Sequence, residues 1–178
     1  MHSLIRSYIN ISIFFLISTG SLCFSKETVT AETKNVDLLA DTILIKKSQW
    51  KMELYAKEKL IKDYKISLGF APIGPKQQEG DGKTPEDEYT ITSKNPHSQF
   101  HLSLKISYPN AADKESAKKK ELSPGGDIMI HGLGKRFSYF GKLHTLHDWT
   151  LGCIAVTNDE IEEIWKLVQK GTIVKIEP

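Results

Sequence analysis

Apolar and polar positions alternate with a period of two over most of the chain beyond residue 40. Residues 42–46 (TILIK), 51–56 (KMELYA) and 60–68 (LIKDYKISL) are short runs, alternating or rich in β-branched side chains. Such runs suit a pleated strand with one buried and one wet face. The polar triplets 47–49 and 57–59 between them suit hairpin turns. Residues 89–92 and 100–108 (FHLSLKISY) resume the pattern, while 127–131 (DIMIH) and 153–157 (CIAVT) are short apolar runs that read as buried strands. Only one helix is written clearly. Thr157 and Glu160 form a capping box, Asp159 suits a helix N-terminus, and Ile161, Ile164, Trp165 and Val168 share one face. Gly171 is the expected stop, and residues 172–176 return as a last strand. The pattern predicts a mostly β domain whose one clear C-terminal helix packs behind the strand that carries Cys153.

Three stretches depart from this texture. Residues 69–87 are polar and rich in Gly and Pro, a length that in a compact domain means a functional loop or a disordered one. Residues 110–122 are charged and read as a short exposed helix or a flap, placed to cover whatever follows. At the N-terminus, Arg6 precedes the largely apolar stretch 9–17 and the small, polar stretch 19–25. That is the outline of a signal peptide over residues 1–25, with an uncleaved membrane anchor as the alternative. Residues 26–40 lack periodicity and read as a linker, leaving 41–178 as the single folded domain. Export, to a periplasm or cell envelope, is the expectation.

Charge narrows the partners little. With a net charge of +2, and the densest basic run (residues 118–120) flanked by Glu115 and Glu121, the chain has no basic stripe suited to nucleic acid. The cysteines say more. Of the two, Cys23 lies in the leader, so the mature chain keeps Cys153 alone and has no internal disulfide. A lone thiol in an exported protein is exposed to oxidation, and a reactive role accounts for its presence.

Residues 125–158 supply the partners for such a role. His131-Gly132 closes one apolar strand and Gly152-Cys153 opens another. A thiol becomes a strong nucleophile when an imidazole takes its proton, and His131 is the expected base. Backbone N–H groups at Gly152 and Cys153 are placed to meet a developing oxyanion. His144 and His147 are rival bases, the latter beside Asp148. A zinc site built from His131, His144, His147 and Asp148 would need a ligand spacing that these residues do not match.

These residues resemble a family. His131-Gly132 with Thr150-Leu151-Gly152-Cys153-Ile154 is similar to the signature of L,D-transpeptidase catalytic domains of the YkuD type. The likeness extends over residues 41–178, through Gly80-Asp81-Gly82-Lys83-Thr84-Pro85, Tyr108-Pro109-Asn110 and Asp148-Trp149-Thr150 to Asn158. The resemblance implies a mostly β, sandwich-like fold and an envelope enzyme acting on peptidoglycan stem peptides. Cys153 would attack the carbonyl of a diamino acid and release the terminal D-alanine. The acyl group would pass to an amine of another stem peptide, giving a 3→3 cross-link, or of a wall-anchored protein. His131 would be general base and acid, with Gly152, Thr150 and Gly132 supporting the motif and no cofactor required. Leu151 stands where many members carry His, and Ala155 and Val156 where many carry Arg or Asn. A substrate carboxylate would then fall to Lys83 or Arg136, with Tyr108 and Trp149 as further contacts. The motif around Asp148 and Ala155 resembles a subgroup with hydrolytic members, so an amidase or carboxypeptidase is one alternative. A cell-wall binding module without turnover is another.

Overall fold

The computed structural model describes residues 38–178. The leader predicted for 1–25, and almost all of the linker, lie outside the described residues. Three strands open the domain as an antiparallel meander: β1 (Ala40–Lys46), β2 (Lys51–Ala56) and β3 (Lys59–Lys65). A 3-10 turn, Lys47–Gln49, joins the first two and ends on Trp50 at φ +48°. Next come β4 (Asp87–Ser98) and β5 (His101–Ile106), then the short β6 (Met129–His131) and β7 (Ile154–Ala155). The last strand, β8 (Val168–Glu177), returns between β1 and β4, parallel to the first and antiparallel to the second.

The eight strands thus form one sheet, in the order β3-β2-β1-β8-β4-β5-β6-β7. β4 holds its halves together: Asp87–Thr90 pairs with β8, and from Ile91 onward the strand pairs with β5. The result is a mostly β, curled sheet with few helices, as the alternating pattern predicted. Its enclosed face carries one core, including Ile43, Ile45, Leu54, Leu68, Leu104, Ile130 and Ile154, each fully buried. Burying side chains of this size contributes about 1.5–3 kcal/mol each.

Helix α1 (Ala111–Lys119) fills the stretch read as a helix or flap, capped by a reciprocal Asn110–Asp113 box. α2 (Gly134–Phe137) runs into 3-10 turns over Ser138–Leu146, kinked at Gly141. No periodicity announced that segment, because Phe140, Leu143 and Leu146 remain exposed and only His144 is buried within its 3-10 part. α3 (Asn158–Leu167) begins where the capping box placed it, with Glu160 N–H on Thr157 Oγ1 at 3.3 Å and Thr157 N–H on Glu160 Oε2 at 2.9 Å.

Its end corrects the expectation. The helix stops at Leu167, Val168 is already extended, and Gly171 lies inside β8 at φ +94°. There the ladder with β1 shifts register between the Ala40 and Thr42 pairs, and Gly171 supplies the left-handed backbone of an irregularity rather than a helix stop. Thr172 stitches the same place, its hydroxyl donating to Ala40 O and accepting from Gln169 N–H, both at 3.2 Å. β4 likewise outruns the predicted 89–92, because its later residues are polar on both faces and are held by the β5 ladder rather than by burial.

Candidate active site

The register of two short strands sets the site. β6 and β7 are parallel, with Ile130 opposite Ile154 and His131 opposite Ala155. Side chains alternate along a strand, so Ile130 and Ile154 enter the core while His131 and Cys153 share the other face as diagonal neighbours. Both line one cavity of about 580 Å³, together with Lys76, Phe100, Asp127, Met129, Trp149 and Thr150.

His131 is 2% exposed. Phe100 stacks on its ring at 4.3 Å between centroids, and Trp149 meets it edge-on at 5.9 Å. Nδ1 lies 2.7 Å from Gly132 O; a carbonyl only accepts, so Nδ1 carries the proton and Nε2 is left as the acceptor. Burial holds the imidazole down at about 4, against the pull of that carbonyl. Burial also pushes the Cys153 thiol up, opposed by the Met129 N–H and by the charge of Lys76. Cys153 is free, partly exposed, and its Sγ lies 3.9 Å from Asp127 O. Both shifts favour a neutral thiol and a neutral imidazole over the ion pair that proton transfer between them would make. Burial penalises both charged forms.

The Gly152-Cys153 turn is tied by Thr150. Its hydroxyl donates to Cys153 O at 2.7 Å and accepts from Gly152 N–H at 3.1 Å. This corrects the expected pair of oxyanion donors: the Gly152 amide is engaged, and the Cys153 N–H is the one without a partner among the described residues. Glycine is still required at position 152. Its φ is +124°, and a Cβ there would lie 2.6 Å from Lys83 O. Gly132 is required for packing, since a Cβ would lie 2.7 Å from Asn158 Oδ1, the acceptor of the Leu133 N–H.

Of the expected substrate contacts, Trp149 lines the cavity and three residues do not. Tyr108 is buried, and its hydroxyl donates to Pro124 O at 2.6 Å, bracing the loop ahead of β6. Lys83 extends to the neighbourhood of Gly74. Arg136 lies over Phe137 and lines a separate surface pocket with Ser98 and His101. The zinc alternative is dispersed. His144 pairs with Ser67, Asp148 accepts from Trp50 Nε1 and Leu68 N–H, and His147 lines a different, apolar pocket. Among the described residues no three His, Cys, Asp or Glu gather as metal ligands. The same bonds make Asp148 a brace of the 147–150 segment and tie His144 to Ser67. Lys76 was missed because its segment is polar and irregular, and Phe100 because the alternation read it as the first residue of a strand, whereas it precedes β5 in the turn and stacks on His131 instead.

Comparison with known proteins agrees with this geometry. The chain is 28% identical over 162 residues to the Escherichia coli K12 protein YafK, which carries a provisional L,D-transpeptidase name; the match covers 85% of this chain and 58% of YafK. Among solved structures, the helical cell shape determining protein Pgp2 of Campylobacter jejuni superposes with a TM-score of 0.60 at 28% identity, over 78% of this chain and 47% of Pgp2. An L,D-transpeptidase from Mycobacterium smegmatis shares the fold with a TM-score of 0.52 at 11% identity, over 78% of this chain and 59% of that one. The chain spans about half the length of these relatives. The model of the L,D-transpeptidase catalytic domain, YkuD, matches residues 40–176, the whole of the curled sheet and its cavity, and the chain belongs to that family.

Proposed function

We propose that this chain is an exported cysteine acyltransferase of the cell envelope that acts on peptidoglycan stem peptides, with Cys153 as nucleophile and His131 as base and acid. The observation that carries it is a buried, neutral imidazole with Nδ1 tied to Gly132 O, sharing one cavity and one sheet face with the free thiol. In the acylation step Nε2 of His131 takes the thiol proton as Sγ bonds to the scissile carbonyl carbon. The oxygen gains charge and is met by the Cys153 N–H. The C–N bond then breaks, and the departing amine, that of the terminal D-alanine, takes the proton back from Nε2. In the second step an amine of another stem peptide, or of a wall-anchored protein, gives a proton to Nε2 and bonds to the acyl carbon. The C–S bond breaks, and the thiolate recovers the proton.

The support is the geometry together with family membership. The similarity to Pgp2, a cell shape determining protein, fits an envelope substrate. Disaccharide-tetrapeptide fragments incubated with the protein test the reading, products being read by mass. Loss of D-alanine with cross-linked dimers, both absent from Cys153→Ala, is the expected result. Loss of D-alanine without dimers would mean that water is the acceptor. No Cys153-dependent change in tetrapeptide or protein-linked fragments would overturn the acyltransferase and leave a binding module.

A further inference from the structure

We propose that Lys76 is the carboxylate-recognition residue of the catalytic cavity, the cation that a substrate carboxylate meets beside Cys153. The inference rests on the cavity being a stem-peptide site. Among the described lining residues, the charged side chains are Lys76, Glu79 and Asp127. With His131 neutral, Lys76 is the one cation on the wall. Both acids are occupied elsewhere: Glu79 accepts from the Ser123 hydroxyl, and Asp127 pairs with Lys105.

The ammonium is held in place rather than neutralised by chance. Its side chain is 3% exposed, and it donates to Asp81 Oδ1 at 2.8 Å and to Gln78 O at 3.0 Å. An ammonium has three donors, so one remains without a partner among the described residues. Asp81 does not depend on the lysine alone. It also accepts the N–H groups of Gln77 at 2.7 Å, Gln78 at 3.1 Å and Lys83 at 3.0 Å, which fold residues 76–83 into a rigid turn around it. Asp81 thus acts as a fixed post that aims Lys76 along the cavity wall. A charge kept out of water with a spare donor is costly unless an anion completes it. A carboxylate answers that need with a charge-assisted hydrogen bond. Lys76 and Cys153 line the same cavity, which puts such a carboxylate on the wall that faces the reacting carbonyl. Lys83 and Arg136, the other cations considered for this task, face away from the cavity.

Two carboxylates of a stem peptide flank the reacting carbonyl, that of the terminal residue and that of the diamino acid side chain. Binding is measured by calorimetry to full-length Cys153→Ala protein, using a tetrapeptide with both carboxylates free and two analogues, each amidated at one of them. We expect the free acid to bind about 10- to 100-fold tighter than one of the two amides, the loss typical of a hydrogen bond to a charged group. The weaker analogue identifies the source. Adding Lys76→Met brings the acid, and the analogue that keeps the recognised carboxylate, down to the level of the weaker amide, and Lys76→Arg retains most of the preference. The weaker amide, which lacks the carboxylate that Lys76 meets, is unchanged by Lys76→Met and serves as the control for loop integrity. Equal affinity for acid and both amides, no binding of any, or a Lys76→Met variant that weakens all three alike overturns the assignment. Turnover of the free acid by protein with Cys153 intact is measured separately. Its absence, with the acid preference present, would overturn the acyltransferase and leave the carboxylate site standing.

Discussion

Burial sets the protonation of His131, and that choice reaches beyond chemistry. An imidazole with an ordinary value of 6.5 when unfolded is held at about 4 in the fold by loss of water. The unfolded chain therefore binds a proton more readily between those values, and stability rises with pH across that window. It is fully present above about 6.5 and is lost as pH falls toward 4, by an amount on the order of 3 kcal/mol. His144, also pushed down by burial, adds in the same direction. The carboxylates act lower. Glu53 is held near 2 by Lys46, Lys51 and Tyr55; Asp81 reaches about 2 because Lys76 and backbone N–H groups outweigh its own burial. Urea denaturation between pH 7 and 5 isolates the histidines, and we expect the slope to shrink in His131→Gln. An unchanged slope would remove His131 as its source.

Packing of elements turns Gly132 into a positioning device. α3 comes so close to the end of β6 that a Cβ on Gly132 would lie 2.9 Å from both Ile161 Cγ2 and Phe100 O, besides Asn158 Oδ1. Phe100 is the residue that stacks on His131, so crowding at Gly132 pushes directly on that imidazole ring. Gly132→Ala is expected to cost about 1–3 kcal/mol, the range for overpacking a filled site, and to slow turnover. Gly126→Ala, whose Cβ would meet nothing within 4 Å, is expected to leave stability unchanged. Thermal unfolding of the two variants decides it, and equal melting temperatures would show that α3 simply gives way.

Across the whole domain, one buried lysine ties the first hairpin to the loop that roofs the cavity. Lys47 is 3% exposed, and its ammonium donates to Gly74 O at 2.7 Å, Thr84 O at 3.0 Å and Glu86 Oε1 at 2.7 Å. All three of its donors are used, and all three acceptors belong to the loop that carries Lys76 and Asp81. Lys47→Met leaves Glu86 and two carbonyls without that partner and is expected to cost about 3 kcal/mol. The loop should then be cut readily by protease within residues 69–86 while the sheet survives. A variant as resistant as the parent would show that the Asp81 turn holds the loop by itself.

The alternation of residues 42–68 and the capping box at Thr157 could be read directly from the chain, because strand alternation and helix capping are local properties of neighbouring residues. So could the convergence of His131 and Cys153 on one cavity, since each stands at one end of a short apolar run. The placement of charge could not be read that way. Lys76, Lys83 and Arg136 look alike along the chain, and only the turn around Asp81 aims the first of them at the cavity. Gly171 reads as a helix stop until the register of β8 against β1 makes it part of an irregular strand. The preference of His131 and Cys153 for their neutral forms is likewise a tertiary outcome. Residue type favours an ion pair, but the stacking of Phe100, the edge of Trp149 and the walls of the cavity remove the water that would have supported it.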